Sequence, residues 1–115
     1  MTAKNKYQKI NRETGEEMKG TLLQNTFGMK HLNDKTKVVL LRFRPSIRNT
    51  EKMLTMAPKL KHIWMSSSEN LRKTSPKTIA MIRNKGIELE YIGNRPVKIL
   101  RYIGDAKEIE ILESE

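Results

Sequence analysis

The stretch KVVLLRF, residues 37–43, places Val38, Val39, Leu40 and Leu41 in succession. Neighbouring side chains of a strand point to opposite faces, so this run is apolar on both. A strand without a polar face is expected inside a sheet covered on both sides, as parallel sheets are.

The residues that follow supply a helix. Asn49 offers an N-cap, Glu51 falls in the first turn where the helix dipole favours a carboxylate, and Met53, Leu54, Met56 and Ala57 form an apolar stripe. Pro58 disfavours helical geometry at Ala57 and ends the helix there. HIWMS, residues 62–66, reads as a second strand, far enough from the first for a parallel crossover. Ser75 then sits at an N-cap with Pro76 at the first helical position, Ile79, Ala80, Met81 and Ile82 give the apolar side, and Gly86 suits a left-handed C-terminal cap with Ile87 folding back on Ile82. IELEYI, residues 87–92, is the third strand. The pattern is βαβαβ, and the fold class is α/β with a parallel, right-handed, helix-covered sheet.

Further strands are expected at both ends. YQKINRETGEEMKGTLL, residues 7–23, reads either as a hairpin around Glu13-Thr14-Gly15-Glu16 or as a helix from Thr14, with Gly15 and Gly20 favouring the hairpin. VKILRYI and EIEIL, residues 97–103 and 108–112, alternate around Gly104-Asp105 as two closing strands. A chain of 115 residues holds one core, so residues 1–115 are read as one domain: 1–36 hairpin or helix, 37–92 the βαβαβ core, 93–115 closing strands or an acidic tail. The tail DAKEIEILESE is read as a solvated edge strand, with covering of the basic region or homo-oligomerisation as alternatives.

The net charge of +10 is uneven. Residues 37–92 carry 12 basic against 4 acidic side chains, net +8, whereas residues 93–115 carry 4 against 5, net −1. Such a field attracts phosphate-rich partners, although it also serves solubility. The chain has no cysteine, which excludes disulfides, thiolate zinc sites and cysteine nucleophiles and agrees with a reducing interior. No stretch approaches the roughly 18 apolar residues of a membrane span, and the polar start lacks a signal-peptide core, so a cytoplasmic protein without membrane contact is expected.

In open parallel sheets, ligands gather beyond the carboxyl ends of the strands. Three loops are expected there: Arg42, Arg44, Ser46, Arg48 and Asn49 after the first strand; Ser66, Ser67, Ser68, Asn70, Arg72 and Lys73 after the second; Asn94 and Arg95 after the third. Alternation turns Phe43 inward and brings Arg42 and Arg44 out together. Guanidinium forks match phosphate oxygens, and serine and asparagine add neutral hydrogen bonds, so this edge reads as an anion-binding site. There is no GxGxxG and no GxxxxGK[ST], hence no support for a nucleotide cofactor, and none is expected. His31 and His62 lack a partner at metal-ligand spacing, the serines lack an activating histidine and acid, and Trp64 reads as core.

The segments KVVLLRFRPS, APKLKHIWMSSS and LRKTSPKTIAMIRNKGIELEYIG together resemble a family of small uncharacterised proteins of methanogenic archaea, a domain of unknown function, over roughly residues 37–93. That resemblance suggests an archaeal cytoplasm and contributes no catalytic residues. APKLKHI followed by RNKGIELEYI is also similar to the βαβ pattern of the first domain of D-2-hydroxyacid dehydrogenases, a likeness of topology only.

These readings make the chain a small, basic, non-enzymatic protein binding DNA or RNA through Arg42, Arg44, Arg48, Arg72, Lys73 and Arg95. The alternatives are a regulatory module taking a phosphorylated metabolite or nucleotide in the same crevice, and a structural or partner-binding protein.

Overall fold

The computed structural model describes residues 19–93 and 97–111. Six strands, β1 Lys19–Leu23, β2 Val38–Leu41, β3 His62–Met65, β4 Glu88–Tyr91, β5 Val97–Ile103 and β6 Ala106–Ile111, form one sheet in the order β4-β3-β2-β1-β6-β5. The first four run parallel, with Leu23, Leu41, Met65 and Tyr91 in one row, and β6 is antiparallel to both β1 and β5. The connections are a 3₁₀ helix Thr26–His31, then α1 Ile47–Met56, and finally α2 Ser68–Lys73 with α3 Pro76–Asn84.

Between β1 and β4 the chain steps one strand at a time in a single direction. Right-handed crossovers then place every connection on the same face. The core agrees: Leu23, Val39, Leu41, Ile63 and Met65 pack with Met29, Met53 and Ile82 from the helices. The other face carries Leu22, Val38, Leu40, Trp64, Ile109 and Ile111, all from strands. The VVLL run is buried on both sides, as its composition requires, and burying each such side chain contributes about 1.5–3 kcal/mol.

Local signals fix most boundaries. Ser75 Oγ accepts from Thr78 N at 3.1 Å, with Pro76 opening α3. At the other end Gly86 adopts φ +77 and donates to the Arg83 carbonyl, while Ile87 N reaches the Ile82 carbonyl at 3.3 Å. These two bonds satisfy carbonyls the helix would otherwise leave open. Ala57 closes α1 at φ −124, outside the helical region, as the following Pro58 demands.

Four readings of the sequence need correction. The N-cap of α1 is Ser46, not Asn49: Ser46 Oγ accepts from Asn49 N at 3.0 Å, so the helix begins earlier and Glu51 lies beyond the first turn. Residues 68–73, read as loop, are the short helix α2, capped by Ser67. Residues 19–23 are neither helix nor hairpin arm but a parallel partner of β2, while the turn at Glu13–Glu16 lies outside the described residues. The EIEI segment is not an edge strand: β6 lies between β1 and β5, and Ile109 and Ile111 are buried. Among the described residues no helix is long and apolar enough to cross a membrane.

Candidate nucleic-acid interface

The carboxyl ends of the parallel strands form a rim whose backbone is fixed by continuing the ladder one residue further. Arg42 N donates to the Leu23 carbonyl at 3.0 Å, Ser66 N to Leu41 at 3.3 Å, and Ile92 N to Met65 at 3.0 Å. Arg42 and Ser66 therefore stand side by side, about 5 Å apart as neighbouring strands are. Phe43 packs against the helix-side core, so Arg42 leaves on the opposite face.

Beyond the strand end, Arg44 is exposed and Pro45 is buried. Arg48 is exposed in the first turn of α1, a turn with no acidic residue. A cation there opposes the helix dipole by about 0.3–1 kcal/mol, a cost a bound anion removes. Arg42, Arg44 and Arg48 make no ion pair among the described residues. The hydroxyls of Ser46 and Ser67 are occupied as acceptors by Asn49 N and Asn70 N, yet each keeps its hydrogen to donate outward. Ser66 Oγ faces the Leu41 carbonyl at 3.4 Å.

Arg72 and Lys73 are placed differently. Both face Glu69 one turn earlier on α2, at 3.8 and 2.9 Å, so two cations share a carboxylate. These pairs are more than half exposed, and their effect on stability is small. Their effect on the rim is to halve the free charge that α2 presents. Asn94 and Arg95 lie outside the described residues.

The sequence reading missed Lys52, exposed one turn below Arg48 on α1, and Lys77 in the first turn of α3. The i, i+4 spacing of Arg48 and Lys52 was the available signal. It also placed a crevice at this edge. A crevice needs a reversal of strand order, where helices pass to opposite faces. The run β1 to β4 has no such reversal, and the charged side chains stand on an open rim.

Trp64 is wholly buried in β3, so it offers no face for stacking on a base. His62 lies at the start of the same strand with Nδ1 3.1 Å from Glu88 Oε1. Among the described residues no three His, Asp or Glu side chains come together as metal ligands.

No curated protein and no solved structure matches the chain. A family model does match: it covers residues 19–113, from β1 through the whole sheet, and so spans every element described above. The chain belongs to the DUF1699 family of unknown function, as its N-terminal domain.

Proposed function

We propose that this chain is a non-enzymatic nucleic-acid-binding protein that grips phosphates with the rim of Arg42, Arg44 and Arg48. The observation carrying this reading is that three exposed guanidinium groups lack ion-pair partners among the described residues, and one of them, Arg48, lies in the first turn of a helix that has no carboxylate there. An open rim suits a long phosphate backbone better than a small enclosed ligand. Lys52 extends the charge down α1, and Arg72 and Lys73 extend it over α2. Contacts of this kind position a backbone without reading bases, so DNA and RNA are bound with little sequence preference. The resemblance to archaeal proteins and the lack of cysteine support an archaeal cytoplasm as the setting.

Fluorescence anisotropy against labelled duplex DNA and single-stranded RNA, across a salt series, tests the reading. Five phosphate contacts give a log–log slope of about −4.5 on duplex DNA. The Arg42→Ala/Arg44→Ala/Arg48→Ala variant flattens that slope by roughly 3. A slope near zero for the wild type, or one unchanged in the variant, would sink the proposal.

A further inference from the structure

At the opposite end of the sheet the same face changes character. Near the rim the helix-side row across β1, β6 and β5 is Leu23, Ala106 and Ile103; further down it becomes Thr21, Glu108 and Arg101, then Lys19, Glu110 and Lys98. The α-helices cover β2 to β4 and the 3₁₀ helix lies over β1 and β6, so Lys19, Thr21, Glu108 and Arg101 of this polar quadrant form the floor of a cleft of about 640 Å³. Its far wall is the turn from Asn33 to Lys37, with Lys59 just before the amino-terminal end of β3.

The wall is rigid by its own bonds. Asn33 N donates to Thr36 Oγ1 at 3.1 Å, Lys35 N to Asn33 Oδ1 at 2.7 Å, and Thr36 N to the Asn33 carbonyl at 3.1 Å. The Lys37 carbonyl accepts from both Lys61 N and His62 N, which ties the wall to β3. Lysine backbones held this way need little reordering when a ligand arrives, and that saves binding free energy.

The charge is one-sided. Lys19, Lys35, Lys37, Lys59 and Arg101 face only Asp34 and Glu108, a surplus of three. Arg101 Nε lies 3.2 Å from Glu108 Oε1, whereas Lys35, Lys37 and Lys59 make no ion pair among the described residues. We propose that this cleft binds a small phosphorylated metabolite carrying hydroxyl groups. The three free lysines hold the phosphate, and Glu108, steadied by Arg101, accepts from a ligand hydroxyl beside Thr21. The volume falls in the usual range for small-ligand sites, and the cleft is bounded on two sides where the arginine rim is open.

The test is a ¹H–¹⁵N NMR titration of the full chain with ribose 5-phosphate, pyrophosphate and uncharged ribose. Ribose 5-phosphate produces saturable shifts at Thr21, Lys35, Lys37, Lys59 and Glu108, and ribose produces none. The Lys35→Ala/Lys37→Ala/Lys59→Ala variant, altered only at exposed side chains, loses at least tenfold in affinity for both phosphates. Glu108→Gln weakens ribose 5-phosphate and leaves pyrophosphate unchanged. The Arg42→Ala/Arg44→Ala/Arg48→Ala variant binds as the wild type does, which separates this site from the nucleic-acid rim. Shifts that never saturate, or affinity unchanged in the lysine variant, would overturn the assignment.

Discussion

The imidazole of His31 lies directly against the α-carbon of Gly104: a β-carbon there would stand 2.5 Å from Nε2. Gly104 opens the turn joining β5 to β6 at φ +56, and Asp105 keeps a negative φ, the sign pattern of a type II′ hairpin turn. The end of the 3₁₀ helix is thus seated on the hairpin tip, reinforced by Lys30 Nζ at 3.6 Å from Asp105 Oδ2. Gly104→Ala meets both a disfavoured φ and an overlap, and a loss of about 2–3 kcal/mol is expected. Gly86→Ala, at φ +77 with open space around it, meets only the first and loses about 1 kcal/mol. Urea unfolding midpoints at unchanged m-value measure both, and equal losses would contradict the packing argument.

The cap of α1 gives a second comparison. Ser46→Ala removes the acceptor of Asn49 N and costs about 1 kcal/mol. Asn49→Ala leaves that bond intact, because only the backbone of Asn49 takes part, and changes stability by a few tenths of a kcal/mol. Thermal unfolding of the two variants distinguishes them, and the reverse ranking would return the cap to Asn49.

Glu69 restrains the cationic rim. Glu69→Gln releases Arg72 and Lys73, so the variant binds duplex DNA more tightly at low salt, by roughly threefold to tenfold, with a steeper salt slope. Anisotropy titrations at two salt concentrations decide this; unaltered binding would mean that α2 does not reach the phosphates.

Trp64 is the largest fully buried side chain among the described residues, packed beside its cross-strand neighbour Leu40 on the face away from the helices. Its fluorescence is expected to be blue-shifted, to resist acrylamide and to stay unquenched at saturating RNA. Trp64→Ala costs about 3–5 kcal/mol. Strong quenching by RNA in the folded protein would require the indole to be reachable.

The parts of the fold legible in the sequence were those where a local rule and the tertiary environment agree. VVLL could only be an inner strand, Ser75-Pro76 could only open a helix, and Gly86 could only close one. α2 escaped because six residues offer one apolar contact, Leu71, and periodicity cannot appear in so short a run. Its Ser67 cap and the first-turn Glu69 were the sole cues. A strand at the amino-terminal side was expected, but the parallel place of β1 beside β2 escaped for a physical reason tied to the cleft: Lys19 and Thr21 are polar because they floor a hollow, so only Leu22 and Leu23 carry the signal of an inner strand. The alternating charges of β5 and β6 likewise read as a solvated ribbon, and nothing local announces that Glu108 and Arg101 lie beneath Lys35 and Lys37. On the rim, Arg42, Arg44 and Arg48 were visible as a motif, while the sharing of Glu69 by Arg72 and Lys73 required the helix that was missed.

The pairing of β1 with β6 joins Lys19 to Glu110 and Leu23 to Ala106, nearly the whole described chain apart. Strands β2 to β4 can assemble from neighbouring segments as the chain is made, but β1 has one flank unfilled until β6 arrives. Closing so long a loop is slow and precedes its reward. Pulse-labelled hydrogen exchange should show the amides of β1 and β6 gaining protection together and last. During synthesis the nascent sheet therefore exposes an apolar ribbon that chaperones can grasp until β6 is in place, and a chain cut short before β6 is fit for proteolysis rather than a shortened working protein.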